Sequence, residues 1–152
     1  MSSKIELRLR ELGLELPALP PPGGNYIPAR TVGSMVYLSG VVSTDKSGIV
    51  TGMVGVDRTV QEGYAAARLC ALMHLAFLQK HLGSLDLVKQ VVTLTGYVNS
   101  AAGFRESPEV INGASDVLVE VFGEAGRHAR LAIGVSGLPR YAMVETQMTV
   151  EI

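Results

Sequence analysis

The stretch from Thr59 to Gly83 constrains this chain more than any other. Thr59 and Glu62 stand three apart, the spacing of a capping box, in which each side chain satisfies the other's free backbone amide at a helix start. Alanine and leucine, both strong helix formers, dominate the residues after Glu62, and Gly83 is the stop, so the main helix covers Thr59 to Gly83. Its apolar positions, from Leu69 through Leu72, Met73, Leu75, Ala76 and Leu78, nearly encircle it. A helix with one wet side shows a single apolar stripe; this breadth predicts a helix lying on a sheet and crowded by neighbours.

The strands for that sheet are legible on either side. Residues 35 to 42 have strand character, Asp45 to Gly48 supply turn residues, and a second strand of a hairpin is expected near 49 to 54. Residues 87 to 98 are rich in β-branched side chains and form the next strand. A second helix begins at Ser107, with Pro108 at its first position and Glu109 suiting the positive end of the helix dipole. Val110, Ala114, Val117, Leu118 and Val121 are its buried stripe, and Gly123 or Gly126 ends it. Two strands, 129 to 137 and 142 to 151, close the chain around the Gly137, Leu138, Pro139 turn. Upstream, Ser3 and Glu6 predict a short capped helix over 3 to 13, followed by an extended arm through Pro17, Pro20, Pro21, Pro22, Gly23 and Gly24. This order predicts an α+β fold: a mixed sheet with two helices on one face and the other face left for subunits to cover. The domain organisation is an arm over 1 to 23 and a single domain over 24 to 152.

Composition narrows the function. Hydrophobic residues make up 47% of the chain and charged residues 18%, a balance that favours an oligomer hiding further surface. No run approaches the roughly 18 apolar residues that span a bilayer, and Lys4, Glu6, Arg8, Arg10 and Glu11 interrupt any signal-peptide core, so a cytoplasmic protein is expected. Cys70 is the sole cysteine, which rules out an intrachain disulfide and a thiolate metal cluster within one subunit; its expected role is packing. His74 and His81 lie seven apart on the main helix with no acidic or cysteine partner at ligand spacing, and are expected to be exposed or helix-end residues, not a metal site. A net charge of -1, with three phenylalanines and five tyrosines, argues against nucleic acid as the partner.

The last two strands carry the chemistry. On the first, Leu131, Ile133 and Val135 share a face expected to meet the helices, so His128, Arg130, Ala132 and Gly134 share the other. On the second, Val144, Met148 and Val150 oppose Glu145, Gln147, Thr149 and Glu151. Arginine offers a planar fork of donors that suits a carboxylate, so Arg130 beside small residues reads either as an anion clamp or as one half of an ion pair at a subunit contact. Spacing alone leaves these two level. His128, on the same side, is a candidate proton donor or a plain strand-edge histidine.

The run from Arg130 through Gly137-Leu138-Pro139 to Val144-Glu145 resembles the C-terminal signature of the YjgF/RidA family. Gly24-Asn25-Tyr26 with Ser39-Gly40 resembles its N-terminal motif, and Asn112 its helix asparagine. The resemblance covers residues 24 to 152, and Asn99-Ser100-Ala101 with Gly126-Arg127-His128 is similar to a branch of somewhat longer members. It implies a chorismate-mutase-like fold with a six-stranded mixed sheet, and a homotrimer with clefts between neighbouring subunits. It also implies a hydrolase of the 2-iminobutanoate/2-iminopropanoate deaminase type, turning amino-acid-derived enamines and imines into 2-keto acids and ammonia without metal or cofactor. By the same resemblance Arg130 holds the substrate carboxylate, Glu145 positions water or moves a proton, Tyr26 and Gly40 line the cleft, and Asn112 sits near it. Leu131, Ala132 and Val41 stand where the family usually has Ser or Thr, in some members Cys, and often Gln. These apolar replacements keep open a regulatory trimer that binds small carboxylates without turnover. An endoribonuclease using Arg127, Arg130 and Arg140 is the third reading.

Overall fold

Both capping boxes form in the computed structural model, which describes residues 2–152. Ser3 Oγ accepts from the Glu6 amide while the Glu6 carboxylate accepts from that of Ser3, opening α1 (Lys4–Glu11). Thr59 and Glu62 do the same for α2 (Val60–Leu82), which ends on Gly83 at φ 84°, a left-handed cap that glycine adopts without steric cost. In α3 (Ser107–Phe122) the cap position falls instead on Glu106, whose side chain makes no capping bond. Ser107 is buried beside Gly134, which takes its side chain away from the helix end.

The strands are β1 (Ala29–Val32), β2 (Met35–Leu38), β3 (Val41–Val42), β6 (Gln90–Asn99), β7 (Ala129–Val135) and β8 (Val144–Glu151); β4 (Thr44–Asp45) and β5 (Gly48–Ile49) form a separate small ribbon. The main sheet has six strands in the order β1-β2-β8-β6-β7, with β3 continuing β2 along β8. It is mixed: β6 runs parallel to β7 and antiparallel to β8. The expected turn from Asp45 to Gly48 forms, but it joins Thr44–Asp45 to Gly48–Ile49, and the strand over 35 to 42 pairs elsewhere. The Met35–Leu38 strand turns back at Gly33 and Ser34 onto Ala29–Val32, a strand too short and too close to Pro28 to read as one.

α2 and α3 cover one face, where Gly96 of β6 lies under Ile111 of α3 and Thr146 of β8 bonds His74 of α2. Val36, Leu38, Leu94, Val98, Val144, Met148 and Val150 are buried in the core they form. β8 has the expected facing, but β7 is reversed. Arg130 reaches Asn112 and Ser115 on α3, so Arg130, Ala132 and Gly134 are on the helix side, and Leu131 and Ile133 point to the uncovered face, 52% and 38% exposed. Alternation groups residues by face without saying which face meets a helix; at this edge strand only small side chains fit beneath the start of α3.

α1 docks on its own chain. Ile5 and Leu9 enter the common core, and the amides of Lys4 and Ile5 donate to Asp86, each at 2.9 Å, while Arg8 Nε donates to the Glu120 carbonyl at 2.9 Å. The bond from the Ile5 amide, with that from Lys4, holds the Asp86 carboxyl below its ordinary value. Such a group stabilises the fold above the ordinary carboxyl range and loses that contribution as pH falls through its folded value. Replacing Asp86 by alanine is expected to speed amide hydrogen exchange across residues 4 to 9 at neutral pH and leave α2 protected. Unchanged exchange in α1 would show that Ile5 and Leu9 hold it alone.

Candidate active site in two halves

Two clusters of polar groups face outward on one chain. In the first, Arg130 Nη1 donates to Asn112 Oδ1 at 2.7 Å and to Ser115 Oγ at 3.2 Å. Ser115 Oγ lies 2.9 Å from His128 Nε2, and His128 Nδ1 lies 2.6 Å from the Gly126 carbonyl. A carbonyl only accepts, so Nδ1 donates; in the uncharged ring Nε2 then accepts from Ser115, whose oxygen receives Arg130. Neutral oxygens thus hold the guanidinium through one nitrogen. Among the described residues no carboxylate lies within 4.0 Å of Arg130, so the ion-pair reading has no partner within the chain, and the rest of the fork is free for an anion.

The second cluster begins with a bulge. Between the Tyr37/Thr149 and Val41/Thr146 pairs, four steps along one strand oppose three along β8, and Ser39 and Gly40 absorb the extra residue. Ser39 is fastened there by its amide to the Pro28 carbonyl at 2.9 Å and its hydroxyl to the Ile27 carbonyl at 2.7 Å. A Cβ at position 40 would lie 2.8 Å from Glu145 Oε2, so glycine lets the carboxylate rest against the backbone. Glu145 is half-buried, accepts no hydrogen bond among the described residues, and is raised above its ordinary value by desolvation. Tyr26, Gly40 and Glu145 line one pocket of about 920 Å³. Arg130 and His128 line another, with Ser115, of about 210 Å³.

Arg130 and Glu145 do not face each other. β6 separates their strands, with Leu94 opposite Arg130 and Tyr97 opposite Glu145, and the two side chains leave opposite faces of the sheet. Consecutive strands in the sequence are not neighbours here, because β7 pairs in parallel with β6 and β8 with the other edge of β6. The replacements near Arg130 are also dispersed. Leu131 points to the far face, and Val41 belongs to the pocket of Glu145. Of the three, Ala132 alone shares both the strand and the side of Arg130.

The profile of a family described as "YjgF/chorismate mutase-like, putative endoribonuclease" matches residues 6–151. The chain belongs to the YjgF family. It is similar to Protein TCP17 of Trypanosoma cruzi, 45% identical over 153 residues, covering 99% of this chain and 96% of that one. Among solved structures, Atu1372 of Agrobacterium tumefaciens, of unknown function, superposes with a TM-score of 0.90 at 43% identity over 97% of this chain and 92% of its own. A Shewanella oneidensis protein that carries the same endoribonuclease description superposes at 0.94 with 38% identity, covering 99% and 100%.

Ser115, Asp57 and Tyr141 also shape this YjgF site, and no motif in the sequence marks them. Ser115 lies three positions after Asn112 and so shares its helix face, a spacing that could have revealed it. Arg140, at φ 55°, and Tyr141, at φ 59°, are consecutive non-glycine residues in the left-handed region, where each costs on the order of 1–3 kcal/mol. Asp57 secures them: Tyr141 Oη donates to it at 2.9 Å and the Met53 amide at 2.6 Å. That loop sets Pro139 and Arg140 into the wall of the larger pocket, whereas Arg127 sits by the smaller one, so within one chain the three arginines form no single patch. His81 is exposed, bonded to Thr31 Oγ1 at 2.8 Å. His74 corrects the expectation: it is fully buried on Thr146, and burial pulls it down to about 4, so it stays neutral. Burial likewise pushes the Cys70 thiol up to about 12, as suits a packing residue. Among the described residues no three His, Cys, Asp or Glu side chains gather for a metal, and no helix is long and apolar enough to cross a membrane.

Proposed function

We propose that this YjgF protein is a RidA-type deaminase that hydrolyses amino-acid-derived enamines and imines to 2-keto acids and ammonia. Its cleft forms where the Arg130 half of one subunit meets the Glu145 half of a neighbour in a homotrimer. The observation that carries this reading is the separation of two opposite charges, each unpaired and each bordering its own pocket, on opposite faces of one sheet. The uncovered face, with Leu131, Ile133 and Tyr37 exposed, supplies the apolar surface such an assembly buries.

In the cleft, the free edge of Arg130 holds the substrate carboxylate. The imine carbon is already electrophilic, so the remaining work is to orient water and move protons. Glu145 accepts a proton from water as the oxygen–carbon bond forms, then delivers it to the substrate nitrogen. The hydroxyl proton then passes through Glu145 to the same nitrogen as the carbon–nitrogen bond breaks, so ammonia leaves and the keto acid forms. A carboxyl group raised by desolvation suits both the acceptance and the delivery.

The test generates imino acids with an amino-acid oxidase and follows keto-acid release in competition with a semicarbazide trap. Acceleration is expected; none with any of a broad set of imines would overturn the reading, and ligand-induced stabilisation without turnover would favour a carboxylate-binding regulator. Arg130→Lys is expected to raise KM roughly tenfold with little change in kcat, because an ammonium cannot form the two-point contact.

A further inference from the structure

In the single chain the pocket beside Glu145 is larger than a small imino acid requires. A four-carbon imino acid has seven non-hydrogen atoms; at no more than the ~30 Å³ of a water molecule apiece, it fills roughly a quarter of the about 920 Å³ present. What bounds the remainder is mostly apolar. Met73 and Phe77, one helical turn apart on α2, form one wall, and Leu19, Pro21 and Ile27 form another. Lys80, His81 and Arg140 also line the pocket as exposed polar side chains beside this carbon surface.

The second wall is the N-terminal arm. Pro20, Pro21 and Pro22 have no backbone N–H, so a wall built from them presents carbon surface without donors that a ligand would have to satisfy. The arm is held in place from its N-terminal side: α1 is fastened to Asp86 and Glu120, and Leu12, Leu14, Leu16 and Leu19 pack successively against the core. Tyr26 comes directly after it, and Ser39 of the bulge is tied to the Ile27 and Pro28 carbonyls, so the same wall leads to Glu145.

We infer that this pocket receives a bulky apolar side chain, so that the preferred substrates are 2-imino acids with aromatic or long aliphatic groups. The inference rests on the deaminase reading for its reaction. With the carboxylate on a neighbour's Arg130 and the imine carbon at Glu145, the substituent on that carbon has this cavity as its volume. Met73 adds adaptability, since an unbranched thioether adjusts to side chains of different shape.

The experiment compares kcat/KM for oxidase-generated imines of phenylalanine, methionine, leucine, 2-aminobutyrate and alanine, in the intact chain and in Pro21→Asp and Ile27→Asp. Both positions are exposed, so either charge can enter the wall without entering the core. The phenylalanine and methionine imines are expected to exceed the alanine imine at least tenfold, and each variant to cut that ratio at least fivefold. Equal or better turnover of the alanine imine overturns the inference and leaves the deaminase reading standing. Absence of turnover with every imine instead removes that reading, and thermal melting with phenylpyruvate and pyruvate then decides the pocket: stabilisation by phenylpyruvate alone upholds it, and any other pattern rejects it.

Discussion

Glu145→Gln is expected to lower kcat for imine hydrolysis by about 10²–10⁴-fold and, at the same time, to raise the melting temperature at neutral pH. The first effect comes from removing the only carboxylate placed to exchange protons in the larger pocket. The second comes from the direction of its shift. Desolvation raises the carboxyl above its ordinary value, and among the described residues no hydrogen bond offsets it. Between its unfolded and folded values the folded state binds more protons than the unfolded one, so stability falls as pH rises through that window. Glutamine carries no such penalty. The advantage of the variant is therefore expected at neutral pH and should vanish below the ordinary carboxyl range, while the wild-type rate falls on the acid side at a pH above about 4.3. Thermal melts and a pH–rate profile check both arms. A variant that melts lower and keeps its rate would make Glu145 a structural residue.

What was legible in the sequence was local. A capping box is a contact between residues three apart, so the starts of α1 and α2 could be read from Ser3, Glu6, Thr59 and Glu62 with no knowledge of the fold. The partner of a strand is not local information. Met35–Leu38 pairs with a four-residue strand before it and with β8 more than a hundred residues later, and nothing in its own side chains names either. The same limit applied to the site. Arg130, Asn112 and His128 do converge, because α3 packs over β7 and short spacings connect them. Glu145 lies on the strand that follows Arg130 in the sequence, but the parallel pairing of β6 and β7 inserts a strand between them. The pocket wall from the arm was least accessible of all. An extended, proline-rich segment has no periodicity to show which face is buried.

The largest stability effect is expected from Gly113→Ala. Gly113 lies in α3 where that helix meets α2, and a Cβ there would stand 2.1 Å from the Tyr64 carbonyl oxygen and 3.1 Å from Ala67 Cβ. The first contact is with backbone, which no rotamer can relieve, so the helices must separate. Alanine would otherwise favour the helix by up to about 1 kcal/mol, and the collision has to be weighed against that gain. Forcing apart a packed core commonly costs about 1–3 kcal/mol, and more where the backbone itself must shift. At roughly 2–4 °C per kcal/mol for a domain of this size, a net loss of ~3 kcal/mol lowers the melting temperature by about 6–12 °C. Gly137, with open space around its missing Cβ, is the matched control, and its alanine variant should melt close to wild type. The consequence reaches the site through the chain itself. Asn112 precedes Gly113 and Ser115 comes two positions after it, so a displaced α3 carries away both groups that hold Arg130. The folded fraction of Gly113→Ala should therefore also show a raised KM. A melting temperature within a degree of wild type would mean that α2 and α3 part more easily than this packing implies, and that Arg130 is held by β7 alone.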